Sequence, residues 1–149
     1  IILALYKQRS IKKKTSKALL AEIELNQEFL KGLLETKHRT ISFFKVGGYD
    51  RTVYLALTDK LGFLDSEILE KVAKYYGHLH FLEVRLSAIR EGPTSIDGIK
   101  DTYTDEWLAQ QFEYYLEDAK KTYSIGQDVI KNLKAETTFN YPILRRKNF

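Results

Sequence analysis

Few side chains in this sequence are spaced in a way that would suit metal binding. His78 and His80 form one close pair. Side chains two positions apart on a helix point about 200° away from each other, so these two histidines cannot share a metal ion. A carboxylate-bridged dimetal site would need an inward Glu-x-x-His on two helices, and the sequence does not provide two such pairs. Solvated helix faces explain the remaining acidic candidates better. These candidates are Glu22, Glu24, Glu28, Glu113 and Glu117. We therefore predict no metal site and no cofactor.

The sequence also lacks the common motifs of nucleotide binding and nucleophilic catalysis. Gly47-Gly48 lacks the Lys-Ser/Thr of a phosphate-binding loop and the glycine spacing of a dinucleotide site, so a turn is the better interpretation. The serines lack a nucleophile context such as G-x-S-x-G, and the absence of Cys excludes thiol catalysis and cysteine-based zinc sites. We expect a protein that is not an enzyme. A tight buried cluster of ionisable residues in one pocket would revive the enzyme alternative.

Aromatic residues suggest another alternative, a regulatory or sensor domain with a small-ligand cavity between two helices. The small residues Ala119 and Gly126 would leave room for large side chains opposite them. The residues that would line such a cavity are Tyr75, Tyr76, Phe112 and Tyr115. Packing in a core is the simpler interpretation of these tyrosines, because they fall at helical seam positions without the interleaved arginines of a base-stacking surface.

The first seventeen residues join an apolar end to a basic cluster. Ile1 to Tyr6 are apolar, and no acidic residue interrupts the basic ones that follow. The basic residues are Lys7, Arg9, Lys12, Lys13, Lys14 and Lys17. This order is typical of the end of a transmembrane helix, an interfacial tyrosine and a cytoplasmic juxtamembrane segment that contacts anionic headgroups. Six apolar residues fall far short of the roughly 20 that cross a bilayer, so we expect an upstream span.

The distribution of charge argues against nucleic acid as a partner. The chain has 24 Lys and Arg against 20 Asp and Glu, and a pI near 9.1. Residues 7–17 and 145–147 hold nine of the basic residues, which leaves 15 against all 20 acidic ones between residues 18 and 144. An acidic body with basic ends favours contact with an anionic membrane surface. The expected protein partner is another membrane-associated protein or further copies of this chain.

Hydrophobic periodicity predicts three long helices and one short helix. The predicted spans are about 10–37, 51–61, 66–91 and 103–135. Seams of the coiled-coil type, with apolar steps of three and four, run along each long helix. The predicted seam residues are Leu19, Ile23, Asn26, Leu30 and Leu33 in the first helix, Ile68, Val72, Tyr75, Leu79, Leu82, Leu86 and Ile89 in the third, and Ala109, Phe112, Leu116, Ala119, Tyr123, Gly126, Ile130 and Leu133 in the fourth. A polar seam residue such as Asn26 usually fixes the register.

Local signals predict where the shorter elements begin and end. Asp50 and Asp65 are good N-caps for the second and third helices, and Gly62 stands where a left-handed residue would end the second. Gly92-Pro93 ends the third helix. Phe43-Phe44 would cover one end of the bundle, and the apolar tail would pack back on the bundle or meet a partner.

The predicted fold is all-α: an antiparallel up-down bundle of three long helices, with the short helix completing one end and the end of a transmembrane helix preceding it. Its parts would be a membrane-anchor end and basic juxtamembrane segment (1–17), the helical bundle domain (18–136) and a C-terminal tail (137–149).

The segment YLALTDKLGFLDSEILEKVAKYY, from Tyr54 to Tyr76, resembles small bacterial proteins of unknown function. These proteins pair an N-terminal membrane helix and a basic juxtamembrane stretch with a cytoplasmic helical region. The matching positions are Leu57, Asp59, Lys60, Leu61, Gly62, Leu64, Asp65, Glu67, Ile68, Val72 and Tyr75. The resemblance covers about residues 1–90 and implies an anchored architecture without a known reaction. We therefore expect a non-catalytic, membrane-tethered module whose cytoplasmic surface docks another protein or its own copies.

Overall fold

The computed structural model describes residues 1–36, 48–92 and 104–138, and within these ranges the protein is helical with no strand. Four α-helices follow one another: α1 (Ile2–Glu35), α2 (Thr52–Ala56), α3 (Ser66–Glu91) and α4 (Asp105–Thr138). A 3-10 helix, Thr58–Phe63, connects α2 to α3. None of the helices in these ranges combines the length and the apolar character that crossing a membrane requires. The predicted lid Phe43-Phe44 and most of the predicted tail lie outside the described residues.

The three long helices arise where the sequence carries continuous apolar stripes. All predicted seam residues of α1 and α3 are buried, which confirms those two stripes. Helix α1 begins at Ile2, well before residue 10, because no Gly or Pro interrupts the helix among its first residues. Helix α3 ends at Gly92, whose φ of 86° lies in the region that favours glycine.

The buried face of α4 is rotated slightly from the predicted seam. Phe112, Ala119, Gly126 and Leu133 are buried as predicted, but Ala109 is exposed. Three predicted seam residues, Leu116, Tyr123 and Ile130, are only half-buried, and the preceding residues Tyr115, Thr122 and Val129 are buried instead. Helix α4 contacts both α1 and α3, so its buried face must serve two neighbours.

The side-chain contacts of α4 run in opposite order to those of its neighbours. Along α1, Lys12 reaches Glu136 and Gln27 reaches Tyr123. Along α3, Lys71 pairs with Asp128 and Arg85 pairs with Asp118.

Residues 49–64 pack along α1 and do not merely close one end of the bundle. Asn26 bonds to Asp50, Glu22 bonds to Val53 and Tyr54, and Lys12 pairs with Asp65, so the contacts move back along α1 as the chain advances. Leu61 and Leu64 are buried in the core shared with the long helices. The segment therefore returns the chain toward the start of α1 before α3 begins.

Three predicted local signals differ in the structure. Gly62 does not end a helix in a left-handed conformation; it lies inside the 3-10 helix, and Gly92 is the glycine with positive φ among the described residues. Asp65 occupies the N-cap position of α3, but its side chain makes no capping hydrogen bond; its carboxylate binds Lys12 Nζ at 2.8 Å. Asp50 is not the N-cap of α2, because Arg51 occupies that position; the Asp50 carboxylate instead accepts a hydrogen bond from the Thr52 amide at 2.9 Å in an Asx turn just before the helix.

Candidate functional site

The start of α1 projects apolar side chains into solvent. Ile2 and Leu3 are each 84% exposed, and Tyr6 is 74% exposed. Leu5 is also exposed although it lies one turn closer to the bundle. An exposed group of large apolar residues on a regular helix is the type of surface that marks a contact with another protein or with a membrane.

Basic side chains follow directly on the same helix. Lys7, Arg9, Lys14 and Lys17 are exposed, and Lys13 is half-buried. Lys12 differs, because its ammonium binds Asp65 at 2.8 Å and Glu136 at 2.9 Å. Burial alone would lower the pKa of Lys12, but hydrogen bonds to these two carboxylates outweigh it and raise that pKa. The Lys12 ammonium also holds the pKa of Asp65 below its usual range. Lys12 therefore links α1 to the start of α3 and the end of α4.

Three segments meet at this end of the molecule, which we call the basal end: residues 1–17, 58–71 and 128–138. Leu5, Gln8 and Arg9 of α1 line one surface depression together with Gly62 and Phe63 of the 3-10 helix. The basal end carries ten Lys and Arg against six Asp and Glu, whereas the other described residues carry seven against 12. Its excess of positive charge comes from residues 1–17, which hold six of the ten basic residues and none of the six acidic ones.

A buried carboxylate joins α1 to the short helix. Glu22 is only 4% exposed, so its predicted place on a solvated helix face is wrong. Its Oε2 accepts a hydrogen bond from the Val53 amide at 2.5 Å, and its Oε1 accepts from the Tyr54 amide at 3.1 Å and the Tyr76 hydroxyl at 2.6 Å. The first amides of a helix lack partners within that helix, and a negative charge suits its N-terminus. Glu22 thus caps α2 from a distant part of the chain.

Two neighbouring amides make similar long-range bonds. Asn26 accepts a hydrogen bond from the Asp50 amide at 2.8 Å and donates one to the Asp50 carbonyl at 2.7 Å, as a residue that fixes register would do. Gln27 Nε2 donates to the Tyr123 carbonyl at 2.7 Å. A Cβ atom at Gly126 would lie 2.5 Å from the Gln27 side chain, so this glycine provides the space that Gln27 fills.

The predicted ligand-cavity residues come together in the core. Tyr75, Tyr76, Phe112 and Tyr115 are each at most 2% exposed. Tyr76 bonds to Glu22, and the Tyr115 hydroxyl lies 2.7 Å from the hydroxyl of Tyr49. Burial raises the pKa of all three of these predicted tyrosines. A ligand cavity here stays a prediction. The Tyr76 and Tyr115 hydroxyls face other protein groups.

Sequence reasoning missed the roles of Glu22 and Gln27. One signal was present, because Glu22 lies four residues before Asn26 and therefore on the same side of α1 as the polar seam position. The two histidines lie on α3 with different exposure: His78 is half-buried, and His80 is exposed with its Nδ1 3.9 Å from Glu83. Within the described ranges, no three His, Cys, Asp or Glu side chains come together as metal ligands would.

Comparisons with known proteins give no family for this chain. No family model matches it, and neither a curated protein nor a solved structure shows significant similarity to it. The resemblance described for Tyr54 to Tyr76 stays a prediction.

Proposed function

We propose that this chain is a non-catalytic helical module tethered at the cytoplasmic face of a membrane, where it serves as an interaction or assembly subunit. The observation that carries the proposal is the start of α1, where exposed apolar residues Ile1 to Tyr6 continue into exposed basic residues. Stable membrane attachment usually needs two such signals, an apolar insertion and a basic patch. Each lysine near an anionic surface contributes about 1 kcal/mol.

We further infer an up-down arrangement of four consecutive segments, because this arrangement accounts for the order of the contacts between them. Helices α1 and α3 lead away from the basal end, whereas residues 49–64 and α4 return toward it. This topology presents the basal end to the membrane and directs the more acidic remainder of the bundle away from an anionic surface. The acidic remainder is then the surface available to a membrane-associated protein or to further copies of this chain.

A non-catalytic role is supported by the use of the buried polar groups. Glu22, Asn26 and Gln27 bind main-chain groups of Val53, Asp50 and Tyr123, which holds the chain in its path. These hydrogen bonds occupy both Glu22 oxygens and the amide groups that a reaction would otherwise use. The cluster is therefore best understood as a set of structural links.

The proposal is tested by binding to vesicles that contain phosphatidylglycerol. Substituting Lys7, Lys13, Lys14 and Lys17 with Gln should weaken the binding roughly a hundredfold or more, because each lysine contributes about 1 kcal/mol. Lys12 is left in place because it holds three elements together. The matched control substitutes four exposed basic residues outside the basal end, Lys31, Arg90, Lys120 and Lys121, with Gln and should change binding only slightly.

Equal losses in the two variants would contradict a basal membrane surface, as would unchanged binding of the first variant. In cells, the protein should sediment with membranes. Retention after a carbonate wash would indicate an integral anchor, and release by the wash would indicate a peripheral contact. Absence from the membrane fraction before the wash would contradict tethering.

A further inference from the structure

We propose that Phe63 inserts into the same anionic lipid surface, so that the bundle rests on the membrane through the 3-10 helix as well as through α1. This inference rests on the proposed function. It makes the basal end a two-point contact with a defined orientation.

The position of Phe63 places it beside the apolar start of α1. Phe63 is the last residue of the 3-10 helix and is 37% exposed. It shares a surface depression with Leu5, Gln8 and Arg9, of which Leu5 is itself 49% exposed. A surface that meets Leu5 and Arg9 therefore also meets Phe63.

The geometry of the 3-10 helix explains why Phe63 points outward. Residues three apart lie on the same side of such a helix. Leu61 and Leu64 are three apart and buried, so Phe63 lies on a different side. Lys60 is three residues before Phe63, shares that outward side and is exposed. An aromatic ring beside a lysine is a typical combination at a membrane interface, where the ring enters and the charge stays with the headgroups.

The acidic groups nearby do not oppose this contact strongly. Lys12 bridges Asp65 and Glu136 and therefore offsets part of their charge close to the surface. Asp59 is exposed at the beginning of the 3-10 helix, and the helix rise of about 2 Å per residue places it about 8 Å from Phe63 along the axis. The same bridge fixes the 3-10 helix relative to α1, because Asp65 follows that helix by two residues.

Fluorescence quenching by brominated lipids tests the insertion of this side chain. Trp107 is the one tryptophan of the sequence, so the Trp107→Phe variant provides a background without indole. Phe63→Trp is then compared with Phe81→Trp, which changes a more exposed ring, 48%, on α3. Phe81 lies 15 residues beyond Ser66, the first residue of α3, which is about 22 Å along the helix axis. Circular dichroism checks that both variants keep their helix content.

With phosphatidylglycerol vesicles brominated near the headgroup, Phe63→Trp should be quenched several-fold more strongly than Phe81→Trp and should shift its emission to the blue. Phe63→Ser should weaken vesicle binding roughly fivefold, whereas Phe81→Ser should not weaken it, because interfacial binding scales with the apolar area inserted.

Three results would overturn the inference. Vesicle binding without quenching of Phe63→Trp would remove the second contact and leave the proposed function intact. If the unsubstituted chain does not bind the vesicles at all, both this inference and the proposed function are contradicted. A blue shift of Phe63→Trp that grows with protein concentration in the absence of vesicles would assign this surface to a second copy of the chain.

Discussion

Single polar side chains of α1 connect parts of the protein that are far apart in the sequence. Gln27 reaches the Tyr123 carbonyl, 96 residues away, through space left by Gly126. The Gln27 side chain is buried, so it cannot move aside into solvent at little cost. Main-chain carbonyls of a helix are rarely approached this closely unless a neighbouring side chain is missing.

Gly126→Ala should lower the free energy of unfolding by roughly 1–2 kcal/mol, because the new methyl group overlaps Gln27 and displaces its hydrogen bond. Alanine favours a helix over glycine by about 1 kcal/mol, so the same change should become stabilising in a Gln27→Ala background. Gly77→Ala is the matched control: Gly77 lies in α3 with nothing within 4 Å of its added Cβ, and the change should stabilise. Urea unfolding measures all four variants. Equal stabilisation by Gly126→Ala and Gly77→Ala would show that Gln27 adapts freely.

The short helix α2 depends on a longer helix for its formation. It has five residues and makes no side-chain cap bond at its N-cap residue Arg51, and isolated helices this short are unstable in water. The Glu22 carboxylate supplies the missing acceptors, and the Tyr54 ring stacks on Tyr76 at 4.0 Å between ring centroids. The conformation of residues 52–56 is therefore imposed by α1 and α3.

Glu22→Gln should destabilise the protein by about 2–3 kcal/mol, because three donors converge on the carboxylate and an amide would turn its own N–H groups toward one of them. The loss should appear locally as faster hydrogen exchange of the Val53 and Tyr54 amides. Glu28→Gln, a change at an exposed position of the same helix, should alter stability by less than about 0.5 kcal/mol. Unchanged exchange at Val53 and Tyr54 would show that Glu22 is not the cap of α2.

The bundle as a whole encloses a group of neutral tyrosines. Burial is the main cause that raises the pKa of Tyr49, Tyr75, Tyr76 and Tyr115 above the ordinary value of 10.0. In the unfolded chain these groups ionise near pH 10, whereas in the folded protein they stay protonated to higher pH. Their contribution to stability is therefore complete below pH 10 and is lost as the pH rises above it.

The protein should unfold steeply above about pH 10, with a loss of up to about 1.4 kcal/mol per pH unit for each buried tyrosine. Absorbance at 295 nm, which reports tyrosinate, should rise together with the loss of the helical signal at 222 nm. Tyr75→Phe should make the transition less steep, whereas Tyr6→Phe, at an exposed site, should leave the steepness unchanged. Full tyrosine ionisation with an unchanged helical signal would contradict a sealed core.

Helix α3 and the stripes of α1 follow from the sequence because their signals act over a few residues. The apolar steps from Ile68 to Ile89, the Gly92 stop and the position of Asp65 before the first turn are all local. The apolar start of α1 and the basic residues after it are also local signals, because they can be read from the sequence without knowing any distant contact.

The path of residues 49–64, the burial of Glu22 and the occupation of Lys12 depend on contacts between residues 24 to 124 positions apart. From the sequence alone, a glutamate in a helix pattern is assigned to a solvated face, because the distant amides that it binds are not known. Asp65 is likewise assigned a capping bond, although its carboxylate binds Lys12 of another helix. Likewise, Phe63 joins the start of α1 only once the chain has returned along that helix. Packing selects these partners, because the free energy that decides them is released when distant segments exclude water together.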